Sequence, residues 1–358
     1  MTTNATLGYD RRSAGKSNPA YVTARVRARR AKLFDDEEYR KLVRMSPAEI
    51  ARYMEESEYE REINELGARH SGVDLIEYTL NRNLARHFDA VLGYAEGQLY
   101  DLIARYLRKF DAWNVKTVLR GIYTDSPRED VEVDLIRAGE FDDRLIERLL
   151  EADRIEDVIT ILDRTIFGDA LADAFEEYEG TGVLVPLENA VDRTFYEHLL
   201  EDLPSSKPVE LYREFLEAEI DFRNARNALR LARSGADVDP SAYFIEGGTL
   251  FTARELDVLV GDLDELIARI EGSQYGDEIG DALDELREVD SLIAFERALE
   301  AALMAYSKRL GNVHPLSVSP VIAYILAKER EVKNIRAIAR GREAGLSESD
   351  IETELVIL

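Results

Sequence analysis

The sequence predicts an all-α protein made of three homologous helical repeats, and three observations predict it. A ten-residue pattern recurs as Asp111-Ala-Trp-Asn114-Val-Lys116-Thr-Val-Leu-Arg120, Asp221-Phe-Arg-Asn224-Ala-Arg226-Asn-Ala-Leu-Arg230 and Glu331-Val-Lys-Asn334-Ile-Arg336-Ala-Ile-Ala-Arg340, with the three Asn 110 residues apart. A second pattern, Ser57-Glu-Tyr59, Thr165-Ile-Phe167 and Ser273-Gln-Tyr275, recurs at 108 residues. Fixed-period self-similarity is the signature of repeat architecture. From Tyr21 onward, strand-like alternation is absent and apolar residues fall at steps of three and four among strong helix formers.

The elements follow in order. Residues 1–18 carry Gly8, Gly15 and Asn18-Pro19 and read as a loose leader. The repeats then occupy 19–126, 127–236 and 237–358. In the first, helical material runs between Gly72 and Ile122, with Gly93 and Gly97 as kink points. In the second, Ser206 is placed to cap a helix that Pro208 opens and Gly235 ends. Leu211, Phe215, Ala218, Phe222, Ala225, Leu229 and Ala232 draw one apolar stripe along it. In the third, Ser319 is the expected cap, Pro320 takes the first turn and the helix runs to about Gly345. Its stripe is Val321, Ile325, Val332, Ile335 and Ala339, interrupted by Lys328, whose stem is expected along the seam with the ammonium outside. Shorter helices are expected at Pro47 to Glu56, Ile155 to Asp163 and Leu263 to Glu271, and linkers near Tyr123–Asp130 and Ser234–Pro240. An Arg stands early in each long helical part: Arg82, Arg193 and Arg297.

Composition narrows the function classes. The absence of cysteine removes disulfides, Fe–S clusters and thiolate zinc sites. No apolar run approaches the roughly 18 residues of a membrane span, and the N-terminus shows no signal-peptide core. A net charge of −26 opposes nucleic-acid binding. The acid excess is spread over every segment and Lys is scarce, which reads as a whole-surface adaptation to molar salt.

Signals of chemistry are weak. His70, His87, His198 and His314 never pair at metal-ligand spacing, and a surface or capping role is expected for His87 and His198. Acidic pairs are so common that none stands out as an acid/base couple. Gly15-Lys16-Ser17 imitates the end of a phosphate-binding loop, but Asp10 stands where the first Gly belongs. No catalytic residue, cofactor, metal or small-molecule substrate is therefore expected. The run Arg25-Val-Arg27-Ala-Arg29-Arg30-Ala-Lys32 either docks on an acidic partner or neutralises acidic helices of the same molecule. In the threefold pattern, Asn114, Asn224 and Asn334 are expected to pack the repeats, with a shared partner-gripping surface as the other reading. Three such units can stack in a line or close into a ring, and the stripe spacing does not decide which.

Taken together, Asn18-Pro-Ala-Tyr-Val-Thr-Ala-Arg-Val-Arg-Ala-Arg, Lys109-Phe-Asp-Ala-Trp-Asn-Val-Lys-Thr-Val-Leu-Arg, Glu219-Ile-Asp-Phe-Arg-Asn-Ala-Arg and Glu329-Arg-Glu-Val-Lys-Asn-Ile-Arg-Ala-Ile-Ala-Arg-Gly resemble the C subunits of the archaeal A-type ATP synthases, counterparts of the d subunit of the V-type (vacuolar) ATPase. The resemblance covers residues 18–358. It implies a pseudo-threefold funnel with no chemistry of its own, peripheral at the cytoplasmic face of the membrane. Its implied partners are the central-shaft subunits and the membrane ring of proteolipid subunits, with torque passed between them. If so, Lys116, Arg120, Arg226, Arg230, Arg336 and Arg340 become candidates for the partner-facing inner surface. The alternative is a free helical-repeat scaffold binding a soluble partner.

Overall fold

A computed structural model describes residues 15–234, 239–276, 279, 280, 283 and 292–356, and among these there is no strand. Eighteen α-helices and one 3₁₀ turn are delimited within the described residues. They group into two compact units, residues 1–154 with 307–358, and residues 155–306.

In the larger unit the first helices are short and set by their caps. α1 (Pro19–Arg30) opens on Pro19 and ends among Arg27, Arg29 and Arg30, where cations suit the carbonyl end. α2 (Asp36–Leu42) and α3 (Pro47–Glu55) begin with reciprocal capping boxes, Asp35 with Glu38 and Ser46 with Glu49. α4 (Glu60–Leu66) leads to α5 (Gly72–Tyr94). The expected kink is a full break at residues 95–97, followed by α6 (Gln98–Leu107) and, across Arg108, α7 (Lys109–Tyr123). Gly97 is required there: its φ is +61°, and a Cβ would lie 2.3 Å from the Gly15 carbonyl oxygen. Asn18 closes over the break, donating to the Tyr94 carbonyl (2.8 Å) and accepting from the Glu96 N–H (3.1 Å). The linker after α7 is partly helical, as α8 (Arg128–Val133), and α9 (Asp143–Leu150) follows the cap Asp142.

The smaller unit contains α10 (Ile155–Leu162), α11 (Gly168–Thr181), α12 (Val185–Leu200), α13 (Lys207–Ser234), the 3₁₀ turn Pro240–Tyr243, α14 (Ala253–Leu259) and α15 (Leu263–Glu271). Ser206 sits at the start of α13 as expected, its carbonyl accepting from Val209 and Glu210. The α13 stripe is buried from Phe215 to Leu229, and Tyr212, Leu216 and Ile220 widen it beyond one face. Gly235 lies outside the described residues.

α16 (Leu292–Val313), α17 (Ser319–Glu343) and α18 (Glu348–Glu354) complete the delimited helices. α17 lies against α5 and α1, so in the larger unit the end of the chain packs on its beginning. Two expectations for α17 are corrected. Ser319 is not the cap but the first helical residue, its N–H held by the Ser317 hydroxyl at 3.1 Å. Lys328 does not put its ammonium outside; the whole side chain is buried. α17 ends at Glu343, and Gly345 (φ +74°) reverses the chain so that the Leu346 N–H returns to the Gly341 carbonyl. α7 ends likewise, with Asp125 at φ +52° and the Ser126 N–H on Gly121.

Candidate functional site

The threefold pattern occupies equivalent turns of α7, α13 and α17, and its Asn does the same thing each time. The Asn114 amide donates to the Ile136 carbonyl (2.9 Å) and its oxygen accepts the Ile136 N–H (2.8 Å). Asn224 holds Ile245 at 2.8 and 3.0 Å, and Asn334 holds Val356 at 3.0 and 3.1 Å. All three are buried. A carboxamide offers one donor and one acceptor in a plane, so it pairs with one extended residue as a neighbouring strand would. Each is a clamp on the non-helical segment that follows the helix, and with the bounds expected from the sequence Asn114 and Asn224 reach into the next repeat.

The acid three residues earlier reaches further along the chain. Asp111 accepts the N–H groups of Glu140 (2.7 Å) and Phe141 (3.1 Å). Burial pushes its carboxyl up to about 7 against the pull of those two donors. Asp221 accepts from Thr249 and Leu250 (2.7 and 2.8 Å) and from the Tyr275 hydroxyl (2.9 Å). Glu331 accepts the Phe34 N–H (2.6 Å) and the Tyr59 hydroxyl (2.7 Å). In each case the acceptor fixes the stretch just before a capped short helix: α9, α14 or α2. Gly139 and Gly248 are needed for that approach, since a Cβ would fall 2.1 and 2.3 Å from the carboxylates of Asp111 and Asp221.

The second pattern supplies the tyrosines. Ser57, Thr165 and Ser273 each donate to the carbonyl three residues back and accept the N–H two residues ahead. The turn buries Tyr59, Phe167 and Tyr275. Tyr59 and Tyr275 carry the hydroxyls that bond Glu331 and Asp221; Phe167 has none.

Around Glu331 the cluster is charged. Lys328 Nζ lies 2.7 Å from Glu331 and donates to the Tyr59 hydroxyl at 2.9 Å. Burial pulls the ammonium below the ordinary lysine range, and Glu331 pushes it back. His87, expected at the surface, is instead 1% exposed. It sits 2.5 Å from the Tyr324 hydroxyl and 3.1 Å from Arg29. Burial, with Lys328 and Arg29 nearby, holds it down to about 2, so the ring is neutral. His198 is half-buried, 3.3 Å from Glu201.

The six candidate cations divide. Arg336 and Arg340 each place Nε 2.6 Å from the buried Glu77, and Arg336 also reaches Asn81. Arg230 forks onto Glu296 at 2.5 and 2.6 Å. Arg226 is half-buried with its Nε unsatisfied. Lys116 is half-buried and Arg120 exposed. Sequence reasoning missed Glu77 and Glu296. The signal was available: with Glu188, they recur at 111 and 108 residues beside an apolar residue early in α5, α12 and α16.

Among the described residues no group of three or more His, Asp or Glu side chains could hold a metal ion, and no helix is long and apolar enough to cross a membrane. Fold and site define a class: a protein helical throughout its described secondary structure, in which polar residues of a recurring sequence pattern fasten one stretch of chain to the next. The ATP synthase (C/AC39) subunit family matches it over residues 22–354. The A-type ATP synthase C subunit of Haloferax volcanii is 69% identical, with 97% of this chain and 99% of that one covered. The namesake from Halobacterium salinarum is 58% identical over 97% and 99%, and that from Methanosarcina mazei 34% over 98% and 96%. The chain belongs to the C/AC39 family of ATP synthase subunits.

Proposed function

We propose that this chain is a rotor subunit of an A-type ATP synthase, joining the central shaft to the membrane proteolipid ring and passing torque between them. It performs no chemistry and sits peripherally on the cytoplasmic face of the membrane. Its three repeats, 19–126, 127–236 and 237–358, close into a pseudo-threefold funnel. One observation carries the reading beyond family membership. Repeat three is bonded to repeat one by the same kinds of group that bond repeat two to repeat three: an acid on an N–H and a Tyr hydroxyl, and an Arg on a Glu. A linear array has no use for a bond from its last repeat back to its first, whereas a closed coupler does. Such bonds also stiffen the seams, which torque requires.

Lys116, Arg120, Arg226, Arg230, Arg336 and Arg340 remain the proposed inner set. Arg120, Arg230 and Arg340 are its exposed members. The test is to tag the protein, solubilise membranes in mild detergent at high salt and identify what copurifies. Head subunits together with the proteolipid ring are expected. Recovery alone, from a preparation whose ATPase is intact, overturns the reading in favour of a free scaffold. In the same assembly, charge reversal at Arg120 should uncouple ATP hydrolysis from ion pumping, and normal coupling would remove it from the shaft surface; reversal at Arg230 or Arg340 would also break the bonds to Glu296 and Glu77.

A further inference from the structure

Among the described residues, three buried polar atoms that meet no partner lie in a row on one face of α5: Thr79 Oγ1, Asn83 Oδ1 and His87 Nε2. The residues stand four apart, which stacks them along one side of the helix with about 5–6 Å between successive Cβ atoms. None is more than 1% exposed. What each atom needs follows from the bonds its neighbours make. The Asn83 amide donates to the Glu58 carbonyl at 2.9 Å and to the Glu62 carboxylate at 2.8 Å. Those two acceptors fix which end of the carboxamide is nitrogen, so the unpartnered end is an acceptor. His87 Nδ1 lies 3.1 Å from the Arg29 guanidinium, which can only donate, so Nδ1 is the bare nitrogen of the ring. Burial, with Lys328 and Arg29 nearby, holds the ring neutral, and its one proton therefore sits on Nε2. The unpartnered end of His87 is thus a donor. Thr79 extends the row with a hydroxyl that serves as either.

We infer that this face of α5 binds internal water, with one molecule bridging the His87 Nε2–H to Asn83 Oδ1. A buried donor and a buried acceptor each bear the full loss of solvation unless something meets them, and in folded proteins that partner is protein or ordered water. One turn of helix separates the two side chains, and a water with hydrogen bonds of about 2.8 Å on either side spans about 5–6 Å. Only a ligand that both accepts and donates serves the pair. An anion would face the Asn83 oxygen. A cation would face the His87 N–H and the Lys328 ammonium, which already weighs on the ring. The bridge joins two sets of contacts. Asn83 holds Glu58 and Glu62, near the start of the chain. His87 holds Arg29 of α1 and, at 2.5 Å, the Tyr324 hydroxyl of α17. The joint between the beginning and the end of the chain in the larger unit is therefore hydrated rather than dry, and its polar groups are completed by water.

The experiment is a crystal structure of the full wild-type chain, grown in sodium chloride, in sodium bromide and in rubidium chloride, at a resolution that shows ordered water. A density peak within about 2.7–3.2 Å of both His87 Nε2 and Asn83 Oδ1 is expected, the same in all three salts and without anomalous signal. The lack of a peak there overturns the bridge. A bromide signal at that place would make it an anion site and a rubidium signal a cation site, and either result overturns the assignment to water. The nitrogen chemical shifts of His87 read the tautomer independently in solution. A protonated Nε2 beside a bare Nδ1 is expected at neutral pH. A proton on Nδ1 instead would remove the donor on which the bridge depends and overturn it whatever the density shows.

Discussion

A single carboxamide decides more here than any ion pair. Asn224 is buried and meets one donor and one acceptor of Ile245, so both of its functional groups are used. Asn224→Asp keeps the shape, loses the donor and sets a carboxylate against a carbonyl. It should cost about 2–4 kcal/mol, a lost bond plus the desolvated partner left behind. Denaturant unfolding at high salt measures this, and a cost under about 0.5 kcal/mol would show that water replaces the amide. The Asn were legible from their spacing. Their partners were not, because Ile136, Ile245 and Val356 contribute only main chain, which any residue supplies. His87 misled for another reason: its neighbours Arg29 and Tyr324 stand 58 and 237 residues away. Its folded value, held down to about 2, lies below the 6.5 of the unfolded chain. The unfolded chain therefore binds the proton first, so this contribution is full above pH 6.5 and falls as pH drops, by up to about 1.4 kcal/mol per unit. His87→Gln should flatten the slope of stability between pH 6.5 and 4 relative to the wild type; unchanged slopes would place the titration elsewhere.

At the scale of elements, the question is what holds α17 to the start of the chain. Apolar burial does most of it: Val321, Ile325, Val332 and Ile335 are fully or nearly fully buried. The Lys328–Glu331–Tyr59 cluster sets the register, since Glu331 also holds the Phe34 N–H ahead of α2. Removing one partner leaves a buried charge uncompensated, so Lys328→Met should destabilise by about 3–5 kcal/mol. Lys328→Met with Glu331→Gln should cost less than Lys328→Met alone, because no charge then remains buried. If the double variant is the worse of the two, the pair adds net stability and the buried charge left behind is not what Lys328→Met costs. The sequence made the stripe and Glu331 visible, but a lysine in a stripe reads as a snorkelling side chain unless its acceptors are known. One of them, Tyr59, stands 269 residues earlier.

For the whole molecule, two electrostatic effects oppose each other when salt is removed. Specific pairs such as Arg230–Glu296 and Arg340–Glu77 are screened less and strengthen. The net charge of −26 is also screened less, and it works against the compact state. Exposed pairs contribute at most about 1 kcal/mol each. Lowering salt from about 1 M to 0.1 M lengthens the screening distance from roughly 3 to 10 Å, which brings like-charged neighbours such as Glu348, Glu352 and Glu354 on α18 within one another's reach. Repulsion should therefore win. Helical circular dichroism should fall on dialysis to 0.1 M salt, return with added sodium or potassium chloride, and return far less with sucrose, which favours compactness without screening. A spectrum unchanged by dialysis would mean that the internal pairs outweigh the excess charge and that the acid-rich surface serves something other than life in brine. Equal rescue by sucrose would assign the loss to weakened apolar burial rather than to charge.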